Sequence, residues 1–308
     1  MTAATTNMDP AVTREILKKV RQVELRTRRL VTDALAGEYH SVFKGRGMDF
    51  DEVREYSPGD EVRLIDWNVT ARTGTPFIKK LREERELTIL LAVDVSASGR
   101  FGSQAQSKRE LAAEVASVLA FSAIRNRDKV GLLLFTDEVE QYIPPGKGRH
   151  NVLRVIREVL FHTPQRRGTD VASALDFVND VLRRRAVVFV ISDFIESPEA
   201  FERLRRQLRL TNKRHDLVLL HLRDRHEEEL PAVGLLTLED PETGEVMEVD
   251  TDSKGVRKAF TMLARERMEQ FRRAARQAGV DSLELRTGEP YSQALYTFFK
   301  NRSSRRLG

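Results

Sequence analysis

Residues 87–98 read LTILLAVDVSAS, an apolar run closed by one carboxylate and two hydroxyls. From Ile89 to Val93 every residue is apolar. No polar face is left, so the run reads as a strand covered on both sides within a parallel sheet. In open α/β sheets, ligands bind beyond the carboxyl ends of the strands. There the chain places Asp94, Ser96 and Ser98, spaced D-x-S-x-S. Oxygen side chains with no Cys or His among them suit a hard cation such as Mg²⁺ better than zinc or copper. The same residue types also cap helices and close Asx turns, so spacing alone leaves both readings open.

Working outward, buried strands are expected over 130–135, 186–192, 215–222 and 281–285, separated by helical patterns. A short alternating edge strand is expected over 139–143, stopped by Pro144-Pro145-Gly146. The fold class is therefore α/β: a doubly wound, mainly parallel central sheet with helices on both faces. Residues 230–252 break the alternation and read as an inserted β-hairpin turning at Pro241–Gly244. Two further stretches again put oxygen atoms at the ends of elements. Arg167-Gly168-Thr169-Asp170 opens a helix, and Asp193 follows the strand 186–192.

Upstream of the central strand the pattern changes. Residues 10–35 carry Val12, Ile16, Val20, Val23 and Leu30 on one helical stripe, with Lys and Arg opposite. Gly45-x-Gly47 lacks a preceding buried strand and a third Gly, which makes it a poor phosphate loop. The segment 51–72 is turn-rich, with Pro58-Gly59 at a tight turn. Trp67 is the only tryptophan, and its size predicts that it anchors this small unit against the main sheet. The expected organisation is an N-terminal subdomain over 1–86 and a main domain over 87–308.

The chain has 308 residues, 32% of them charged and 40% hydrophobic, and no cysteine. This is a globular balance without disulfides or thiolate chemistry. No stretch approaches the roughly 18 continuous apolar residues of a membrane span. The start, MTAATTNMDPAV, lacks a signal-peptide pattern, which predicts a cytoplasmic protein. The net charge of +5 permits an acidic partner. Basic residues are mixed with Glu throughout, however, as in salt-bridged solvated faces, so nucleic acid is not the expected partner. The six histidines, at 40, 150, 162, 215, 221 and 226, show no metal-ligand spacing.

Taken together, Asp94-x-Ser96-x-Ser98, Thr169 and Asp193 resemble, in order and separation, the metal-ion-dependent adhesion site (MIDAS) of von Willebrand factor A-type domains. The signature Gly45-x-Gly47, Phe50, Arg54-x-Tyr56, Pro58-Gly59-Asp60, Arg63-x-Ile65-Asp66-Trp67 and Ala71-Arg72, followed by a charged Glu-Arg-Glu and the D-x-S-x-S strand, resembles the domain-of-unknown-function-58 family over about residues 35–299. The resemblance implies a von Willebrand A-like fold and a MIDAS-like site holding Mg²⁺ or another divalent cation. It makes Ser96, Ser98 and Thr169 direct ligands, with Asp94 and Asp193 acting directly or through water. It further implies a non-enzymatic adaptor whose partners are a MoxR-type AAA+ ATPase and its client protein. Many members begin with two membrane spans, where this chain has a basic amphipathic stretch.

The alternative from another class is a metal-dependent phosphohydrolase using Asp94 as nucleophile. Haloacid-dehalogenase-like phosphatases carry D-x-D-x-[TV], and here Ser96 stands at the second Asp. No G-x-x-x-x-G-K-[ST] loop and no G-x-S-x-G elbow is present.

Overall fold

The structure, a computed structural model, describes residues 18, 20–27, 30, 31, 37–39, 42, 49–82, 86–103 and 106–307. Gly45, Gly47 and the first half of the helix expected over 10–35 lie outside the described residues. The chain divides into two compact units, Phe43–Leu87 and the remainder.

The smaller unit is a hairpin with one short helix. Strand β1 (Asp49–Glu55) pairs antiparallel with β2 (Phe77–Arg82). Between them Gly59, at φ 109°, makes the turn that a side chain would resist. Asp60 fixes that turn, accepting two hydrogen bonds from Arg54, at 2.7 and 2.9 Å, and one from Ser57 N at 2.8 Å. Helix α1 (Trp67–Thr73) is capped by Asp66, which accepts from Asn68 N and Val69 N, and ends on left-handed Gly74. The inward positions of α1 are Val69 and Thr70, and Thr70 Oγ1 accepts Phe77 N–H at 3.0 Å.

Within this unit Trp67 is not buried as its size suggests, for 67% of its surface is exposed. A two-stranded hairpin and a seven-residue helix make a unit with no second layer deep enough to cover an indole.

The larger unit carries β3 (Thr88–Asp94), α2 (Lys108–Arg125), β4 (Lys129–Phe135), β5 (Val139–Gly146), α3 (Gly148–Phe161), α4 (Val171–Val181), β6 (Val187–Ser192), α5 (Pro198–Arg214) and β7 (Asp216–Arg223). There follow β8 (Leu235–Glu239), β9 (Val246–Asp250), α6 (Lys254–Ala278), β10 (Asp281–Arg286) and α7 (Tyr291–Leu307). The sheet order is β10-β7-β6-β3-β4-β5, parallel except for the edge strand β5. Strand β3 is central and buried from Ile89 onward because both its faces are covered. Leu90 and Ala92 pack into one core layer with residues of α4, α5 and α6. The alternate residues Ile89 and Leu91 point to the opposite face.

The chain goes from β3 outward to β4 and β5, then returns past β3 to β6. The switch point of this doubly wound sheet therefore lies between β3 and β6, where a crevice opens at the carboxyl ends.

The described residues before Val42 belong with this larger unit, not with the signature segment as the sequence reading had grouped them. Residues 20–27 are helical. Arg26 pairs with Glu114 of α2 at 2.7 Å, and Glu24 with Arg149 of α3 at 2.8 Å. At the amino edge of the sheet, Arg302 of α7 bonds Asp216, the first residue of β7, and Asp281, the first of β10.

Candidate functional site

Strands β3 and β6 run in register, Val93 beside Ile191, so their ends deliver Asp94, Ser192 and Asp193 to one place. Ser192 Oγ donates to Asp94 Oδ2 at 2.6 Å, and Ser96 N–H donates to Asp94 Oδ1 at 2.9 Å. The Ser96 and Ser98 hydroxyls are 3.0 Å apart, and Ser98 also bonds Asp193. Phe194, at φ 52°, is one of two non-glycine residues in the left-handed region among the described residues. That turn lets its N–H reach Ser192 Oγ, and it lets Ile195 N–H reach Asp193 Oδ1. Asp94, Ser96, Ser98 and Asp193 are all buried. Four of the five residues singled out in the sequence thus form one network.

Two buried carboxylates this close compete for protons. Burial, reinforced by the charge of Asp193, pushes Asp94 up to about 6. Burial pushes Asp193 upward too, but the ammonium of Lys108 outweighs it and holds Asp193 below the usual carboxylate range. Lys108 Nζ donates to Asp193 Oδ2 at 2.6 Å and also to Glu227 Oε1.

Lys108 is a site residue that the sequence reading missed. The sequence carries a signal for it, since Lys108, Leu111, Ala112 and Val115 share one helical stripe and the last three are buried. Ser192 was likewise passed over as the final residue of an apolar strand.

The Thr169 hydroxyl bonds outside these four residues. Its loop is tied to the D-x-S-x-S turn by Ala97 N–H on Arg167 O, at 3.0 Å. Its hydroxyl donates to Glu242 Oε1, at 2.7 Å, on the tip of the β8–β9 hairpin. Glu242 is pushed up to about 7 by burial and by the charges of Asp193 and Asp94, with the Thr169 bond opposing. The hairpin was legible in the sequence; that its turn reaches the site was not.

The donors fit a hard cation. All are oxygens, and three nearby carboxylates (Asp94, Asp193, Glu227) against one ammonium (Lys108) leave two negative charges when ionised. A cavity of about 10 Å³ lined by Asp94, Ser98, Lys108, Ser192 and Asp193 matches the space of about one water molecule. Among the described residues no group of three His, Cys, Asp or Glu side chains is placed to hold a metal. Any cation here therefore relies on the hydroxyls as well as the two aspartates.

Strand order, the antiparallel edge strand and the oxygen-rich crevice define a von Willebrand A-like α/β protein. Within that class the chain belongs to the family described as "Protein of unknown function DUF58", which it matches over residues 52–270. The uncharacterized protein Rv1480 of Mycobacterium tuberculosis is 32% identical over 286 residues, 92% of this chain and 88% of the relative. A second uncharacterized relative, MAV169 of Mycobacterium avium, is 30% identical over 164 residues, 52% of this chain and 93% of its own. Among solved structures, the conserved hypothetical protein BatB from Bacteroides thetaiotaomicron superposes with a TM-score of 0.46 at 15% identity, covering 71% of this chain and 99% of that one. The SpRpn10 VWA domain gives 0.39 at 14% identity, covering 68% and 94%. At that level of similarity the fold rests on the strand order itself. Among the described residues no helix is long and apolar enough to cross a membrane.

Proposed function

We propose that this chain is a protein-interaction module that binds a divalent cation, Mg²⁺ in the first instance, and presents it to a carboxylate of a partner protein. The observation that carries this reading is the buried Asp94–Ser96–Ser98–Asp193 network at the switch point of the sheet. Ser96 and Ser98, with Thr169 from the adjoining loop, would hold the ion by their hydroxyls, and Asp94 and Asp193 would act directly or through water. Bound there, the ion supplies positive charge and a coordination position open to an incoming Asp or Glu.

A cleft of about 800 Å³ starts at Asp193 and runs between α5 and α6, lined by Phe194, Phe201, Met268 and Phe271 among others. It gives an acidic partner residue room for apolar neighbours. By family resemblance the partner class is a MoxR-type AAA+ ATPase together with its client.

The phosphohydrolase reading draws less support. Both Asp94 oxygens already accept hydrogen bonds, and Ser96 offers no second carboxylate for acid–base work.

Calorimetry with Mg²⁺ and capture of a co-encoded MoxR-type ATPase, with and without chelator, test the proposal. The Asp94→Ala protein should lose both metal binding and capture while remaining folded. Capture that survives chelator and Asp94→Ala alike would refute the metal bridge.

A further inference from the structure

The β8–β9 hairpin interrupts a regular α/β alternation, and its two strands are largely solvent-exposed, Leu235, Val246 and Met247 each by more than half. The hairpin is held at its base, where Thr251 N–H and Oγ1 both donate to Gly234 O, at 2.9 and 2.6 Å. It is held again at its tip. Gly244, at φ 76°, closes the turn, and Asp240 Oδ1 accepts Glu242 N–H at 2.8 Å and Thr243 N–H at 3.3 Å. That Asx turn sets the direction of Glu242, whose Oε1 meets Thr169 Oγ1. Its Oε2 lies 3.9 Å from where a Cβ on Gly168 would stand.

The hairpin thus carries a carboxylate from 73 residues away to a loop that already adjoins two buried aspartates. Glu242 is a fourth carboxylate beside Asp94, Asp193 and Glu227, and the single ammonium of Lys108 offsets one of them, so the four ionised together favour a further cation.

We propose that Glu242 is a built-in ligand of the cation site, occupying the coordination position that a partner's Asp or Glu would take. The hairpin tip is then a plug, and a partner binds by displacing it. This rests on the cation-site reading above. Withdrawal breaks little, because between base and tip the hairpin strands bury few side chains.

Mn²⁺, counted as free ion by electron paramagnetic resonance, serves as the probe, with sodium acetate as a free carboxylate and sodium chloride at matched ionic strength as control. Wild-type protein should bind Mn²⁺ without responding to acetate. Glu242→Ala should bind at least about tenfold more weakly, on the scale of losing one supporting metal-site group, and acetate should recover several-fold of that loss. Glu242→Gln keeps an oxygen for Thr169 but not the charge, and should behave like Glu242→Ala. A Glu242→Ala protein that ignores acetate, or a Glu242→Gln protein with wild-type affinity, overturns the plug while leaving the cation site standing. Wild-type protein that binds neither Mn²⁺ nor Mg²⁺ overturns both.

Discussion

In the unit Phe43–Leu87, Trp67 leaves 67% of its surface in water, whereas at the carboxyl edge of the large sheet Lys108 leaves 1%. The usual sorting of side chains is reversed between these two regions. Lys108 goes inside because its ammonium meets Asp193 and Glu227 and its methylene stem continues the apolar stripe of α2. Trp67 stays outside because one hairpin and one helix offer it nothing to lie under. Burial follows the partners and the depth of the layers a fold supplies, and only secondarily the residue's own polarity.

The sharpest way to break the comparison is to remove the ammonium. Lys108→Met keeps the stem and strands the buried Asp193 and the half-buried Glu227, so in chelator it should cost about 3–5 kcal/mol by urea unfolding. Mg²⁺ should narrow that loss. Unchanged stability would mean that Asp193 does not depend on Lys108.

The next largest effect has the opposite sign. Asp94 binds its proton more tightly folded than unfolded, so the folded state is penalised as pH rises from about 4, the ordinary Asp value, to about 6 and beyond. Asp94→Asn lifts that penalty and should stabilise the metal-free protein at pH 7.5, on the order of 3 kcal/mol, with the gain vanishing below about pH 4. A destabilised Asp94→Asn protein at neutral pH would show that the carboxylate is well compensated.

The smallest effect belongs to the other region. Trp67→Ala should change stability by no more than about 0.5 kcal/mol, as for other surface positions. As the only tryptophan, it also reports on itself: its fluorescence should be that of indole in water and fully quenched by iodide. A protected indole, or a loss of several kcal/mol, would show that Trp67 is buried.

Strand β3 and its parallel neighbours were legible because strands covered on both faces leave unbroken apolar runs, and the edge strand β5 because its residues alternate; its end was not, since the strand runs on through Pro144 and Pro145 to Gly146, as an edge position tolerates. Asp94, Ser96, Ser98 and Asp193 were legible for the same reason, since the runs mark where strands end and ligands gather. The remaining site residues depend on separations that no local pattern carries. Lys108 finds its partners 85 and 119 residues onward, and Thr169 finds Glu242 73 residues away. Trp67 was misread because the thickness of the layer above a residue is a property of the assembled unit. The grouping of residues 20–27 with α2 and α3 rests on ion pairs such as Arg26–Glu114, 88 residues apart.

The bonds from Arg302 to Asp216 and Asp281 bear on synthesis. Strands β3, β4 and β6 can associate while the rest of the chain is still being made. The amino ends of β7 and β10 gain their shared guanidinium only after residue 302 has left the ribosome, so the far edge of the sheet is sealed last. Nascent chains stopped between β10 and that residue should expose β10 to proteases and to strand pairing with one another.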